Sequence, residues 1–190
     1  MLIFKKAEDL GEWLSHNHGD KSELWIKVYK KHTKKPSVTW KEIVTEALCW
    51  GWIDGVKKSL DDESYAQRIT PRKEKSDWSK KNTEHVERLI EEGKMQEPGM
   101  VHVRAAQADG RWENAYAPAS ESEVPQDFII ALERMPAAKK FFETLNKSSR
   151  YAITYGLTTA KKPETRKRRF NKFMDMLLRN EEPGFGFKKK

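Results

Sequence analysis

The first residues of the chain change from one hydrophobic period to another. Three apolar positions have the i, i+3, i+4 spacing of an amphipathic helix over 7–17: Leu10, Trp13 and Leu14. The next apolar positions are every second residue, as in a strand with one buried face: Leu24, Ile26 and Val28. This change predicts a helix followed by a strand that ends at Pro36.

The segment SVTWKEIVTEALCWGW predicts a second helix. Thr39 and Glu42 have the spacing of a capping box, and Gly51 stands where a C-cap glycine would end the helix. A strand then begins at Trp52, and a second strand at YAQRIT pairs with it as an antiparallel hairpin. The Asp-Gly dipeptide of WIDG is expected to bend or bulge the first of these strands.

Two more helices are predicted before residue 109. Ser76 or Asp77 is expected to cap a helix over 77–92 that ends at Gly93. Pro98 suits the first turn of the following helix. The apolar face predicted for that helix consists of Val101, Ala105 and Ala108.

Beyond the polar, proline-containing stretch at 109–125, the hydrophobic period is helical throughout and predicts four helices. The last one has a continuous apolar stripe made of Phe170, Phe173, Met174, Leu177 and Leu178. The predicted organisation is an α+β domain at 1–108, a linker at 109–125 and an all-helical domain at 126–190.

Five long blocks resemble the YdeI/OmpD-associated family, whose members are also labelled bacteriocin-protection proteins. The blocks are EALCWGWIDGVKK, YAQRITPRKEKSDWSKKN, VERLIEEGKMQEPG, PQDFIIALERMPAAKKFFETLNKSSRYAITYGL and AKKPETRKRRFNKFMDMLLRNE. The resemblance implies a frataxin-like (YjbR/CyaY-like) fold for the first part and the helical domain of that family for the second. It also implies a role in protection from bacteriocins or envelope stress, and it implies no catalytic mechanism.

The net charge of +8 is concentrated at the end of the chain, because residues 161–190 contribute +7 of it. Such asymmetry favours an acidic partner, which would be nucleic acid, an anionic surface or an acidic protein. The alternative is a solvated helix face without a partner.

The remaining composition excludes several classes of protein. Cys49 is the only cysteine, and its apolar surroundings predict a small buried hydrophobe rather than a thiol nucleophile. The chain has no apolar run of membrane-spanning length and no secretion signal. We therefore expect a cytoplasmic protein that does not insert into membranes.

The hairpin region supplies the first candidate site, for a ligand with a phosphate or carboxylate group. Its members are Trp52, Asp54, Arg68, Arg72, Ser76, Trp78, Ser79 and Asn82. The expected strand pairing brings Asp54 close to Arg68 as an ion pair, and Arg72 close to the N-terminus of the next helix, which attracts anions. The structural alternative places both tryptophans in the core and uses Ser76 as a helix cap.

The last helix supplies the second candidate, a basic patch. Its members are Lys162, Arg166, Lys167, Arg168, Arg169 and Lys172. Four consecutive bases wrap around a helix, so they cannot all face one phosphate backbone. Arg166 and Arg169 are expected to contact the core or an acid of a neighbouring helix, whereas the lysines are expected at the surface. Structural, nucleic-acid-binding and protein-binding roles all stay open.

No sequence motif for catalysis, phosphate loops or structural zinc is present, and the five histidines are scattered. We predict no catalytic residue, no cofactor and no metal site. The leading prediction is a non-enzymatic cytoplasmic stress- or bacteriocin-protection protein that binds an unknown protein or a small anionic ligand. The alternatives are nucleic-acid binding by the basic C-terminal helix, and an enzyme or sensor with an anion pocket around Arg68 and Arg72. The oligomeric state stays open.

Overall fold

A computed structural model describes residues 1–118 and 120–184 of the chain. These residues form a mixed α+β structure with one three-stranded antiparallel sheet and eight α-helices. The α+β prediction is therefore confirmed. Packing separates two compact units, of which the first spans Met1–Ala115 and the second begins at Tyr116.

The first unit combines the sheet with four α-helices. Its elements are α1 (Ala7–Asn17), β1 (Leu24–Tyr29), α2 (Trp40–Cys49), β2 (Trp52–Ser59), β3 (Ser64–Pro71), α3 (Lys80–Glu91) and α4 (Glu97–Ala108). The strand order is β1-β3-β2, with both neighbouring pairs antiparallel. β1 ends earlier than predicted, because a 3-10 turn at Lys31–Thr33 redirects the chain before it reaches Pro36.

Local signals define both ends of α2. The Thr39 side chain accepts from the backbone N–H of Glu42, and the Glu42 carboxylate accepts from the Thr39 N–H at 2.6 Å. Gly51 has a φ of +71°, a left-handed conformation that favours glycine, and a Cβ there would lie 2.7 Å from the Pro98 carbonyl oxygen. The predicted capping box and glycine stop are confirmed.

Two apolar clusters pack against different faces of α2. The first joins α1 and α2 to one face of the sheet through Leu10, Leu14, Leu24, Ile26, Ile43, Trp52 and Ile69. The second joins α2 to α3 and α4 through Val44, Leu48, Trp78, Val86, Leu89 and Val103. Cys49 belongs to the second cluster, where burial raises the pKa of its thiol to about 12, so it is a buried hydrophobe as predicted.

Two details of α3 and α4 differ from prediction. α3 begins at Lys80, and its cap is Ser79 rather than Ser76 or Asp77, because the chain makes a turn at 73–76 and then buries Trp78 before the helix begins. The predicted apolar face of α4 is wrong, since Val101 is 50% exposed. Gly99 instead faces α2, where an added Cβ would lie 2.4 Å from the Cys49 carbonyl oxygen. This close approach sets the rotation of the helix, which buries Gly99, Val103 and Ala106.

The described part of the second unit is helical. Its helices are α5 (Gln126–Glu133), α6 (Pro136–Thr144), α7 (Lys147–Thr158) and α8 (Pro163–Leu178). One cluster holds them together, and its most buried members are Phe128, Leu132, Ala138, Ile153, Leu157, Phe173 and Leu177. Leu178, predicted in the stripe of α8, is 46% exposed. Within 1–118 and 120–184, no helix is both long and apolar enough to cross a bilayer.

Candidate functional site

The predicted ion pair between Asp54 and Arg68 is wrong. The strand register places Asp54 opposite Ile69, and a bulge follows before Lys57 pairs with Gln67. Asp54 therefore shares a face of the sheet with Ile69. Arg68 is next to Ile69 in its strand and projects to the opposite face, away from Asp54. Arg68 instead donates to Glu23 at 2.7 Å.

The other side chains of the hairpin cluster have structural contacts. The Nε1 atom of Trp40 donates to Asp54 at 3.2 Å. Trp52 is buried, and its Nε1 atom donates to the His18 carbonyl oxygen at 3.1 Å. Ser79 caps α3 by accepting from the backbone N–H of Asn82 at 3.2 Å.

Arg72 lies in the wall of the second core cluster rather than at the surface. It is 5% exposed, and its guanidinium stacks 3.6 Å above the ring of Trp78. Its Nη2 atom donates to the Asp77 carbonyl oxygen at 2.7 Å. Arg72 therefore holds the segment that leads into α3, whereas Arg68 is held by Glu23. The anion pocket around these two arginines stays a prediction.

A histidine and a second arginine lie close to Arg72. Arg111 donates through Nη1 to the Ser76 carbonyl oxygen at 2.7 Å and forms an ion pair with Asp109. Burial lowers the pKa of His102, and the charges of Arg72 and Arg111 lower it further. His102 is thus held neutral in a cation-rich corner.

The basic patch of α8 divides into anchored and exposed members. Arg166 forms a two-bond ion pair with Asp127 of α5 at 2.7 and 2.8 Å, and these bonds lower the pKa of the Asp127 carboxyl. Arg169 donates to the Gly156 carbonyl oxygen at 2.8 Å, in the last turn of α7. Both therefore join α8 to other helices, as the sequence predicted.

Lys162, Lys167, Arg168 and Lys172 are exposed. The last three line a groove of about 480 Å³ along α8, which they share with Glu164, Asn171 and Asp175. Two carboxylates among three cations make this groove a mixed surface rather than a continuous basic one. Nucleic-acid binding by α8 stays a prediction.

A cavity of about 390 Å³ lies between the segment at 120–124 and helices α5, α6 and α7. Val124, Ile129 and Phe142 form its apolar wall. Its polar lining includes Lys147, Arg150, Tyr151 and Glu123. This volume falls at the lower end of the range of small-molecule sites in proteins.

Arg150 is the distinctive residue of this cavity. Its guanidinium lies 5.1 Å from the centre of the Phe142 ring, and its Nη2 atom donates to the Glu143 carbonyl oxygen at 2.8 Å. Its Nε atom is buried, and within 1–118 and 120–184 no hydrogen-bond acceptor reaches it. A buried donor of a charged group without an acceptor is costly, typically by about 1–3 kcal/mol or more.

The first turn of α7 adds positive charge to the same cavity. Asn146 caps this helix by accepting from the Ser149 N–H at 2.9 Å, and the turn that follows holds Lys147 and no acid. Helix N-termini already carry partial positive charge, so a cation there adds to it. Tyr151 donates to the Ala117 carbonyl oxygen at 3.0 Å, and burial raises the pKa of its hydroxyl, so Tyr151 stays neutral.

No pattern in the sequence predicted this cavity, although one signal was present. The stretch NKSSRY puts two cations just after a helix cap, where acids are normally preferred. The apolar partners come from α5, α6 and the segment at 120–124, and no spacing along the chain links them to α7.

Known families match both units. A family model described as "Domain of unknown function (DUF8412)" matches residues 2–102, which is more than half of the chain. The chain belongs to the DUF8412 family. A second model, described as "Bacteriocin-protection, YdeI or OmpD-Associated", matches residues 121–180 of this DUF8412 protein, the segment that contains the cavity. No curated protein and no solved structure matches the chain.

These matches confirm the predicted resemblance over 121–180. The three blocks quoted from the first unit lie within the DUF8412 match instead. The frataxin-like assignment has no matching structure behind it and stays a prediction. Among the described residues, no three His, Cys, Asp or Glu side chains are grouped so as to hold a metal ion.

Proposed function

We propose that this DUF8412 protein is a non-enzymatic protein of the bacteriocin-protection type that binds a small anionic ligand in the cavity of its second unit. The observation that carries the proposal is the buried Nε atom of Arg150, which has no acceptor within 1–118 and 120–184. A turn of the Arg150 side chain towards the cavity would expose this atom and let a carboxylate or phosphate oxygen supply that acceptor. The match of 121–180 to the bacteriocin-protection family supports the biological role.

The charges around the cavity favour an anion over a cation. Arg150 and Lys147 both line it, and the N-terminus of α7 contributes partial positive charge. Glu123 is the one acid in the described lining. Guanidinium groups bind planar carboxylates with two parallel hydrogen bonds, which makes Arg150 the better anchor and Lys147 a supporting charge.

The apolar wall restricts the ligand further. Val124, Ile129 and Phe142 would be left facing water by a bare inorganic ion, whereas an apolar or aromatic body would cover them. A small carboxylate with a ring or short chain therefore fits better than free phosphate. Benzoate and hexanoate are suitable probes, and benzamide is the uncharged analogue of the first.

The test is a thermal-shift and calorimetric titration of the full chain with benzoate, hexanoate, inorganic phosphate and benzamide. We expect benzoate to raise the unfolding midpoint and benzamide to leave it unchanged. Arg150→Gln should weaken benzoate binding by about tenfold or more, because a hydrogen bond to a charged group is worth about 1.5–3 kcal/mol. Arg134→Gln is the matched control, since Arg134 is exposed and does not line the cavity.

Equal affinity of the Arg150→Gln and Arg134→Gln proteins for benzoate would contradict the assigned anchor. If no probe binds the wild-type chain, the cavity is not an anion site of this class. The protective role is tested separately by challenging cells that lack the protein with a bacteriocin. Complementation by the Arg134→Gln form but not by the Arg150→Gln form would link protection to the cavity.

Three finer assignments belong to the same proposal. The protein acts in the cytoplasm, where cell fractionation would find it. It serves in a stress response, which the bacteriocin challenge examines. Its first unit is frataxin-like, in keeping with its order of helix, strand, helix and hairpin. An experimental structure compared with frataxin-like domains would decide the last point.

A further inference from the structure

The outer face of the sheet has a different composition from the inner one. Leu24, Ile26 and Val28 of β1 are buried against α1 and α2 on the inner face. The residues between them, Trp25 and Lys27, together with Tyr29 at the end of the strand, project to the opposite face and are half-buried. The Cα atoms of these two aromatic residues thus lie about 13 Å apart along one strand.

Cations surround these rings. The register places Lys27 and Lys58 on either side of Ala66 in the central strand. The Nζ atom of Lys58 lies 4.8 Å from the centre of the Trp25 ring, and that of Lys27 lies 5.2 Å from the centre of the Tyr29 ring. Neither lysine has a carboxylate within ion-pair distance among the described residues.

Acids neutralise only part of this face. Glu23 pairs with Arg68, and Glu63 pairs with Lys35, whose Nζ atom lies 5.5 Å from the Tyr29 ring. The stretch from 27 to 35 has five lysines and no acid. The pKa of Asp61 is lowered by its hydrogen bond from Ser64 and also by the charge of Lys27, so this acid too lies near the face. The face therefore combines partly exposed aromatic rings with an excess of lysines.

We propose that this outer face binds single-stranded nucleic acid, with unpaired bases stacked on Trp25 and Tyr29 and phosphates bound by Lys27 and Lys58. Stacking platforms interleaved with cations are the usual means of binding single strands without sequence readout. A base stacks on an aromatic ring more strongly than an exposed lysine does, so the lysines would leave the rings and move to the phosphates. The inference does not depend on the cavity of the second unit.

The experiment measures fluorescence anisotropy of a labelled oligothymidylate and of a matched duplex, with the full chain at low salt. We expect binding of the single strand, weaker binding of the duplex, and loss of about tenfold in affinity in Trp25→Leu. Trp25→Phe should restore most of the affinity, because it restores a ring. Lys27→Gln should reduce the slope of log affinity against log salt by about 0.7.

Trp40 provides a matched control for the ring. It is 40% exposed and also has a lysine beside it, with the Nζ atom of Lys81 at 5.5 Å from its ring, but it lies on α2. Trp40→Leu should leave binding unchanged. Thermal unfolding of every variant checks that the fold is intact.

Three results would overturn the proposal. The first is absence of binding by the wild-type chain at low salt. The second is equal affinity of folded Trp25→Leu and wild-type protein. The third is loss of binding in a double variant of α8, Lys167→Gln with Arg168→Gln, while Trp25→Leu binds normally, which would transfer the activity to the basic helix.

Discussion

Each unit places an arginine over an aromatic ring, and the two arginines have different surroundings. Arg72 stacks on Trp78 at 3.6 Å, is 5% exposed and lies against a filled core cluster. Arg150 lies 5.1 Å from the centre of Phe142 and lines a cavity of about 390 Å³. The first arginine stabilises a chain segment, whereas the second has room beside it for a ligand. The contact of an arginine with an aromatic ring therefore has a structural role where the core beside it is filled, and a binding role where a cavity lies beside it.

The strongest test of the difference between Arg72 and Arg150 is to remove each guanidinium group and measure the free energy of unfolding. Arg72→Ala should lower the free energy of unfolding by about 2–4 kcal/mol, because it removes a buried charged donor from the Asp77 carbonyl oxygen and leaves space under Trp78. Arg72→Lys should restore little, since an ammonium group cannot stack as a plane. Urea denaturation measures both.

Arg150→Gln should lower the free energy of unfolding by less than about 1 kcal/mol in the same assay. The change removes a hydrogen bond, but it also removes a buried N–H donor that has no acceptor among the described residues. If Arg150→Gln destabilises the chain as strongly as Arg72→Ala does, the contrast between the two arginines fails.

His102, which lies close to Arg72, makes the stability of the first unit depend on pH. Its pKa is lowered by burial and by Arg72 and Arg111, so the folded state binds this proton less readily than the unfolded state. Its contribution to stability is present above the unfolded pKa of about 6.5 and is lost as the pH falls from there through the lower folded pKa. His102→Gln should therefore flatten the loss of stability below about pH 6.5.

The same histidine reports whether an anion binds near Arg72. A bound phosphate would raise the pKa of His102, and NMR titration with and without phosphate would detect the change. We expect no change, because the arginines of this corner are held by backbone carbonyl groups and Asp109. A rise of the pKa in phosphate would instead support the predicted anion pocket of the first unit.

The smallest expected effect concerns the ion pair that joins α8 to α5. Arg166 and Asp127 are both partly exposed, so Asp127→Asn should cost about 0.5–1 kcal/mol at low salt and less at high salt. The pKa of Asp127 is lowered mainly by its hydrogen bonds to Arg166. The pair therefore stabilises the fold above the unfolded pKa of about 3.9 and loses its effect as the pH falls through the folded pKa.

Thermal unfolding at several salt concentrations would measure this ion pair. Lys167→Gln, an exposed change on the same helix outside this ion pair, is its control. A salt-independent loss of several kcal/mol in Asp127→Asn would mean that the pair is buried in solution.

Features that depend on neighbouring residues were predictable. The capping box of Thr39 and Glu42, the stop at Gly51 and the hairpin after Trp52 each need only a few consecutive residues, and all are present. The anchoring of Arg166 and Arg169 was also predictable, because four consecutive bases on a helix cannot all face solvent on one side.

Features that depend on register or rotation were not predictable. Strands have a period of two, so a shift of one residue at the bulge after Asp54 was enough to separate it from Arg68. On α4, apolar residues occur on both candidate faces, and the contact of Gly99 with the end of α2 decided which one is buried.

The sequence by itself determined the class of the fold, the ends of its capped helix and the concentration of positive charge near the C-terminus, because these follow from composition and from contacts within a few residues. Only the tertiary structure decided which arginine is enclosed and which lines a cavity, and which face of the sheet carries its aromatic rings among lysines. Both depend on packing between segments far apart in the chain. The hydrophobic period of one segment cannot predict a cavity that forms between it and distant segments.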